Sequence, residues 1–353
     1  MNSVNKEEQL VKVSEYRDKL KKSPVLRSLF LELTLNCNER CLHCGSRCGD
    51  VVSNEMSKDI YFEFLDKIKR DFKILPMLCI TGGEPLLRKD LFEIMSYANS
   101  LGFKWGMTTN GTLITPEIAK KLKDTGMRTV SVSLDGLRQT HDFFRNSTGG
   151  FIKTLNGIRY LLDQDFDSVQ VTTVVTKKNI CDLDEMFDLV SSLDVNSWRV
   201  VNLEPIGRAL ELSDYMLDKN DYRYLFDFIK QKRLEGFPVT YGCSHYLGLN
   251  YERVVRDCYF MCNAGIYTAS IMCNGDIGAC LDIERRPETI QGNILKDDFT
   301  RVWCDKFDIF RKSLAELNPQ CRECSSRQFC EGGSYHSWNY NTNEPMVCFK
   351  DVL

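Results

Sequence analysis

The sequence lacks the features that mark membrane, secreted and nucleic-acid-binding proteins. Over its 353 residues no apolar run approaches the roughly 18 residues that a membrane-spanning helix needs. Residues 1–22 are charged throughout and contain no apolar core, so we expect no secretory signal peptide and a cytoplasmic protein. The formal net charge of -3 gives no reason to expect nucleic acid or an anionic membrane as a partner.

Internal repeats and low-complexity tracts are also missing from the sequence. The hydrophobic content of 43% and the charged content of 27% are typical of a globular protein. The length suffices for one large α/β domain with a smaller one beside it.

Cysteine is abundant, with 16 residues. In a reducing compartment such a number indicates metal or redox chemistry rather than a disulfide framework. Four cysteines lie between positions 37 and 48, and ten lie between positions 243 and 348. Only Cys79 and Cys181 lie between these groups. The distribution predicts two metal-binding regions on either side of a long middle segment without metal.

The middle segment alternates between strand-like and helix-like patterns. The predicted strands are 26–35, 77–81, 104–109, 128–134, 169–175 and 197–203. The predicted helices between them include 90–102, 115–126, 151–164 and 181–194. Six strands, each followed by a helix, predict parallel strands joined by right-handed crossovers.

We predict an incomplete (β/α)6 barrel of the TIM type followed by a small metal-binding domain. A doubly wound open sheet is the alternative, but the chemistry-bearing motifs all follow strand ends, where such barrels place their sites. The predicted divisions are a helical extension at 1–25, the barrel at 26–210, a helical connector at 211–240 and the cysteine-rich domain at 241–353. We interpret the charged N-terminal helix as a solvated surface helix.

The segment CNERCLHC, residues 37–44, follows directly on the first strand. Its thiols, Cys37, Cys41 and Cys44, could bind three irons of a [4Fe–4S] cluster and leave the fourth iron open. An open position on a metal is where a substrate or cofactor binds. The alternative is a zinc site completed by Cys48 or His43, but structural zinc usually pairs two separated C-x-x-C halves, and no second half lies nearby.

The C-x3-C-x2-C spacing after the first strand resembles that of the radical S-adenosylmethionine (SAM) enzymes. The resemblance covers roughly residues 26–210. It implies that SAM binds the open iron, and that electron transfer from the cluster releases a 5′-deoxyadenosyl radical that abstracts hydrogen from a substrate. It also implies an electron donor such as flavodoxin or ferredoxin.

Further motifs follow successive strands in the order found in that family. TGGEP, residues 81–85, resembles the motif that holds the SAM amino group, and VSLDG resembles the segment of Ser and Arg contacts to SAM. The segment after the sixth strand resembles the one whose apolar residue packs on adenine. The SAM-binding residues implied by the resemblance are His43, Gly82, Gly83, Glu84, Asn110, Ser133, Asp135, Arg145 and Leu203.

The tail resembles the SPASM extension of radical SAM enzymes, which carries two auxiliary [4Fe–4S] clusters. The resemblance assigns the first auxiliary cluster to Cys258, Cys262 and Cys280, and the second to Cys321, Cys324, Cys330 and Cys348. Three clusters are therefore expected in all. Five further cysteines are interpreted as small hydrophobic residues rather than ligands: Cys48, Cys79, Cys181, Cys273 and Cys304.

One position departs from the SPASM pattern. Ser334 stands where the family usually has a cysteine that closes the first auxiliary cluster. The fourth position of that cluster is therefore open, or is filled by Ser334, His336 or Cys243. An open iron would suit catalysis on a peptide thiol.

The leading functional prediction is a maturase of ribosomally made peptides that forms a thioether or another crosslink. Sulfatase maturation is an alternative, but those enzymes place an Asp directly after the residue equivalent to Cys280, where this chain has Leu281. Radical decarboxylation of tetrapyrroles in haem biosynthesis is another alternative. A zinc-binding interaction module is the alternative without catalysis. Thr108, Thr173 and Asn202 are either substrate-facing residues of the barrel interior or packing residues.

Overall fold

The computed structural model of the protein describes residues 3–50, 54–242 and 245–350. In these ranges the β-strands are β1 (Ser28–Thr34), β2 (Met77–Gly82), β3 (Trp105–Thr109), β4 (Met127–Ser133), β5 (Ser168–Val175), β6 (Ser197–Asn202), β7 (Val239–Tyr241), β8 (Thr268–Ile271), β9 (Asp276–Gly278), β10 (Gly292–Asn293), β11 (Trp338–Asn339) and β12 (Glu344–Pro345). The α-helices are α1 (Ser3–Lys22), α2 (Lys58–Asp71), α3 (Leu91–Ser100), α4 (Pro116–Asp124), α5 (Arg138–Arg145), α6 (Gly150–Leu162), α7 (Leu183–Ser192), α8 (Lys219–Leu234), α9 (Gly248–Tyr251), α10 (Phe299–Asp305), α11 (Pro319–Arg322) and α12 (Arg327–Cys330).

Strands β1 to β7 pair in sequence order, and every neighbouring pair is parallel. Sequential order is the topology of a barrel, whereas a doubly wound sheet reverses its strand order partway. Helices follow the strands along the chain, as the crossover rule requires. The six predicted strands and the mixed α/β barrel prediction are therefore confirmed, and β7 adds a seventh parallel strand.

The main apolar core lies between these strands and the helices outside them. Val130, Val171 and Trp198 point outward from their strands and are at most 2% exposed. Trp198 meets Phe228 of α8 edge to face, with 6.2 Å between the ring centroids. The residues that alternate with them are only partly buried and face the opposite, concave side of the sheet.

The cysteine-rich part of the chain joins the same sheet. Strand β8 pairs in parallel with β1, from Ser28 opposite Thr268 to Leu31 opposite Ile271. Strands β9 and β10 continue the sheet beyond β8 in antiparallel pairs. One sheet therefore crosses the predicted boundary between barrel and tail domain, whose residue limits stay a prediction.

Helix α1 exists as predicted, but it is more than a solvated surface helix. The Arg17 guanidinium donates to the carbonyl oxygens of Gln328 and Phe329 and pairs with Glu331. Leu10 packs in a small apolar cluster with Phe260 of the tail. The helix is therefore fixed to the cysteine-rich part of the chain.

In the described part of the chain, none of the helices combines the length and apolar character that crossing a bilayer requires.

Candidate active site at the carboxyl ends of the barrel strands

The three-cysteine loop starts at Cys37, three residues after the end of β1 at Thr34, at the carboxyl-terminal edge of the barrel. Backbone amides point at two of its thiols: the Glu39 N–H donates to Cys37 Sγ at 3.5 Å, and the Cys48 N–H donates to Cys44 Sγ at 3.4 Å. The Cys48 thiol also hydrogen-bonds to Cys44 and lowers the pKa of that thiol to about 5. Such donors stabilise thiolates, which are the form that binds iron.

The glycines of TGGEP bring the end of β2 against this loop. The Gly83 N–H donates to Thr34 O and the Glu84 N–H donates to Asn36 O, both at 2.8 Å. A Cβ atom on Gly83 would lie 2.0 Å from Asn36 O, so no larger residue fits. The two glycines therefore fix the backbone of the cysteine loop.

The Glu84 carboxylate is fully buried and joins the ends of β2 and β3. It accepts hydrogen bonds from Thr109 Oγ1 at 2.9 Å, from the Asn110 N–H at 2.9 Å and from the Leu86 N–H at 3.3 Å. Burial raises the pKa of Glu84 to about 7. Its side chain braces two strand ends, a role that the resemblance did not include.

Asn110 follows β3 and reaches the cysteine loop from the other side. Its side-chain Nδ2 donates to Asn38 Oδ1 at 2.9 Å, and its side-chain Oδ1 accepts from the Thr112 N–H at 2.9 Å. Ser133 ends β4 and is partly exposed on the concave side. The structure thus brings the ends of β1 to β4 together around the cysteines.

A buried ionic network lies behind Cys41. Asp135 is 1% exposed and pairs with Arg145 at 2.6 Å and with His43 at 3.1 Å. Burial alone would raise the pKa of Asp135, but Arg145 and His43 bring it well below its ordinary value. Two predicted SAM-binding residues, His43 and Arg145, are thus paired with a third, Asp135.

Sequence reasoning missed a second anchor of the cysteine loop in the segment after β6. The Arg208 Nε donates to Cys41 O at 2.8 Å, and the Arg208 N–H donates to Cys44 O at 3.0 Å. Gly207 has φ +56°, and a Cβ atom there would lie 2.2 Å from Gly45 O. In the sequence, the Gly-Arg pair after the sixth predicted strand is the feature that could have indicated this anchor.

Leu203, predicted to pack on adenine, is 2% exposed at the end of β6. The next residue, Glu204, begins a cluster that was not predicted. Its Oε1 lies 3.1 Å from His245 Nε2, and its Oε2 is buried without a hydrogen-bond partner among the described residues. Burial lowers the pKa of His336, whereas the charges of Glu204 and Asp282 act in the opposite direction. Barrel and tail therefore share one polar cluster at the barrel mouth.

The four cysteines predicted for the second auxiliary cluster lie together. Cys321, Cys324, Cys330 and Cys348 all line one cavity of about 300 Å³. Burial raises the pKa of Cys330 to about 12, and the other three thiols act on it in the same direction because they are close. The cavity thus brings together the four thiols that the prediction assigns to one cluster.

Cys262, one of the residues predicted for the first auxiliary cluster, lies near the segment that carries Ser334. Cys262 lies close enough to Tyr335 to influence its pKa, and Ser334 beside Tyr335 is 1% exposed. The segment that carries Ser334 is therefore near one predicted ligand. Cys243, the other candidate for the fourth position, lies outside the described residues. The assignment of Cys258, Cys262 and Cys280 stays a prediction.

The concave side of β4 to β6 is lined by polar side chains. Thr108, one of the three candidates, is exposed on β3, but Thr173 and Asn202 are buried at 1% and 2%. Thr173 faces outward, where it accepts a hydrogen bond from Trp198 Nε1. The side chains that do face the interior are those of Thr129, Ser131, Ser133, Gln170, Thr172, Ser197 and Arg199, joined by Val174 and Val201.

Two families of protein domains match parts of this chain. Residues 31–190 match the radical SAM superfamily, and residues 262–325 match an iron–sulfur cluster-binding domain, SPASM. An AdoMet-dependent heme synthase of Methanosarcina barkeri is 32% identical, covering 92% of this chain and 97% of the relative.

The chain is a radical SAM enzyme with a C-terminal SPASM domain.

Two further proteins are similar over most of the chain. The mycofactocin maturase MftC of Mycobacterium tuberculosis is 31% identical over 86% of this chain and 76% of its own length. The structure of Streptococcus suis SuiB bound to the precursor peptide SuiA has a TM-score of 0.71 at 20% identity, covering 90% of this chain and 74% of SuiB. The predicted family, fold and enzymatic nature are confirmed.

A radical SAM enzyme with a SPASM domain contains [4Fe–4S] clusters and uses SAM, and the residues of this chain fit both. Amide donors stand at the thiols of Cys37 and Cys44, and four cysteines surround the tail cavity. Close-packed glycines precede a buried carboxylate at the end of β2. Donor set and local packing therefore agree with the cofactors.

Proposed function

We propose that this enzyme removes a hydrogen atom from a peptide bound inside the barrel and forms a thioether or another crosslink in it. The second hydrogen leaves the peptide as a proton, and the remaining electron would pass to an auxiliary cluster. When bound, the cluster and SAM supply a 5′-deoxyadenosyl radical that takes a hydrogen atom from the substrate. The cluster would be held by Cys37, Cys41 and Cys44, and SAM would lie on Gly82, Gly83, Asn110, Ser133 and Leu203. The roles of these residues are part of the proposal.

The observation that supports a peptide is the polar inner wall of strands β4 to β6. Ser131 Oγ and Thr172 Oγ1 are 2.8 Å apart, and Gln170 Nε2 donates to Ser197 Oγ at 2.9 Å. All four side chains remain partly exposed. Hydroxyl and amide groups can exchange these bonds for bonds to a peptide backbone, since both donate and accept. A tetrapyrrole macrocycle would instead call for a largely apolar surface.

The cluster at the barrel mouth supplies a second set of contacts for a peptide. The Glu204 carboxylate is held by Asn202 Nδ2 at 2.9 Å and by His245, which leaves Oε2 for another donor. Burial raises the pKa of Glu204, but the opposing effect of His245 leaves it below its ordinary value, so the carboxylate is charged near neutral pH. A buried carboxylate oxygen without a partner is costly, and we infer that a substrate N–H or ammonium group satisfies it.

Oxidative decarboxylation of a tetrapyrrole is the second candidate. It is favoured by the match to heme synthases over nearly their whole length and by Arg199, a cation on the inner wall that suits a propionate group.

The test is a parallel assay of the two substrate classes. Anaerobically reconstituted enzyme with SAM and a one-electron reductant is given either a cysteine-containing peptide library or an iron tetrapyrrole that carries propionates. Products are read by mass spectrometry, and peptides deuterated at carbon report hydrogen transfer into 5′-deoxyadenosine. We expect peptides that have lost two hydrogens and deuterium in the nucleoside. Decarboxylated tetrapyrrole, without any modified peptide, would overturn the proposal in favour of the second candidate.

A further inference from the structure

Arg145, the last residue of α5, is enclosed beside Cys41. Its Nη1 donates to Cys41 Sγ at 3.6 Å, and its Nη2 pairs with Asp135 Oδ2 at 2.6 Å. Nη1 also lies 3.9 Å from Glu39 Oε2. The side chain is 10% exposed, so the guanidinium meets the thiol in a nearly dry environment.

The position of the guanidinium is fixed by its partner. Asp135 Oδ1 accepts from the Val174 N–H at 2.9 Å, and Asp135 Oδ2 lies 3.1 Å from His43 Nε2. Strand β5, the end of β4 and the cysteine loop therefore all hold the carboxylate that holds Arg145. A group constrained in this way is preorganised toward one sulfur atom.

We propose that Arg145 is a positioning residue for the Cys41 thiolate, and that its hydrogen bond to the sulfur raises the reduction potential of the SAM-binding cluster. A reduced cluster is more negative than an oxidised one, so a nearby donor with positive charge stabilises the reduced state. The inference concerns electron supply to SAM and is independent of whether the substrate is a peptide.

The geometry favours this role over the SAM carboxylate contact that the resemblance implied. Both Nη atoms of Arg145 are committed to protein groups. Nε is buried and has no hydrogen-bond partner among the described residues. A carboxylate needs two exposed N–H groups on one edge of the guanidinium for bidentate binding, and no such edge is open.

The test compares Arg145→Gln with Arg40→Gln in the full-length reconstituted enzyme. Arg40 lies in the same loop, but its guanidinium donates to the backbone carbonyl of Cys37 and is half-exposed. A redox titration followed by EPR measures the cluster whose reduced signal changes on adding SAM. A separate titration gives the Kd of SAM, and iron content reports assembly.

We expect R145Q to make the midpoint potential more negative, with the Kd of SAM changed by less than about threefold. R40Q should leave both values near those of the unchanged enzyme. Because R145Q leaves Asp135 without its cation, Asp135→Asn combined with R145Q provides a second variant without the uncompensated charge. Its potential should also be more negative. A potential equal to that of the unchanged enzyme in either R145 variant, or a Kd raised by more than about tenfold, would overturn the proposal.

Discussion

Charged side chains without exposure to water are concentrated around the cysteine loop. Glu84 and Asp135 are both fully buried carboxyl groups, but their surroundings push their pKa values in opposite directions. Asp135 faces two basic residues, whereas Glu84 faces only neutral donors. The nature of the partners, and not burial itself, therefore decides which carboxyl group is charged.

We predict that Glu84 makes the enzyme without cofactors less stable as pH rises. Burial raises its pKa to about 7 from an ordinary value of 4.5. Between these pH values the folded state keeps a proton that the unfolded state has lost, so the free energy of unfolding falls as pH increases. Glu84→Gln removes this dependence. The difference in the free energy of unfolding between the unchanged protein and E84Q should therefore change by about 3 kcal/mol from pH 4 to pH 8.

Chemical denaturation across that pH range measures the effect. Glu63→Gln, on the exposed side of α2, is the matched control and should follow the unchanged protein. Parallel pH profiles of E84Q and the unchanged protein would show that folding does not raise the pKa of Glu84, and would contradict the prediction.

At the scale of single elements, the N-terminal helix has a structural role that its charge pattern does not indicate. Arg17 is buried at 4% exposure, and its guanidinium donates to two backbone carbonyl groups directly before Cys330. Glu331, its ionic partner, directly follows Cys330. Helix α1 therefore braces a segment that carries one of the predicted ligands of the second auxiliary cluster.

We predict that Arg17→Ala destabilises the protein by about 2 kcal/mol, because Phe329 O loses its guanidinium donor, while Gln328 O keeps only Ser14 and Glu331 keeps only Lys21. Lys19→Ala changes an exposed residue of the same helix and should have little effect. Thermal unfolding gives the stability, and hydrogen exchange should become faster in residues 326–331 of R17A. Unchanged exchange in that segment would contradict the role of α1 as a brace.

The sequence predicted well the elements whose pattern is local. Thr115 accepts a hydrogen bond from the Ile118 N–H at the start of α4, where the predicted helix 115–126 begins. Arg17 was interpreted as a solvated charge because its partners lie more than 300 positions away. For Thr173 the sequence left the barrel interior and packing both open, because β5 carries valine and threonine on both of its faces. Contacts between segments far apart in the sequence, and the face of a strand that lies toward the barrel interior, become known only from the tertiary structure.

At the scale of the whole molecule, the continuous sheet fixes the tail against the barrel. Strand β1 has β2 on one side and β8 on the other, so the strand before the SAM cluster loop also pairs with the SPASM part. The Glu204 cluster could not be predicted because it combines the end of β6 with His245 and His336. We infer that a substrate at this junction contacts both parts of the chain.

The cysteine sets should nevertheless load iron independently, because they lie on different elements. Three [4Fe–4S] clusters correspond to about 12 irons in each chain. We predict that changing Cys37, Cys41 and Cys44 together to Ala removes about four irons and all cleavage of SAM. Changing Cys321 and Cys324 to Ala should also remove about four irons, but cleavage of SAM without substrate should persist. Iron and sulfide analysis with an assay for 5′-deoxyadenosine distinguishes the two variants. Loss of SAM cleavage in the second variant, at full occupancy of the first site, would mean that the auxiliary cluster is needed to supply the electron.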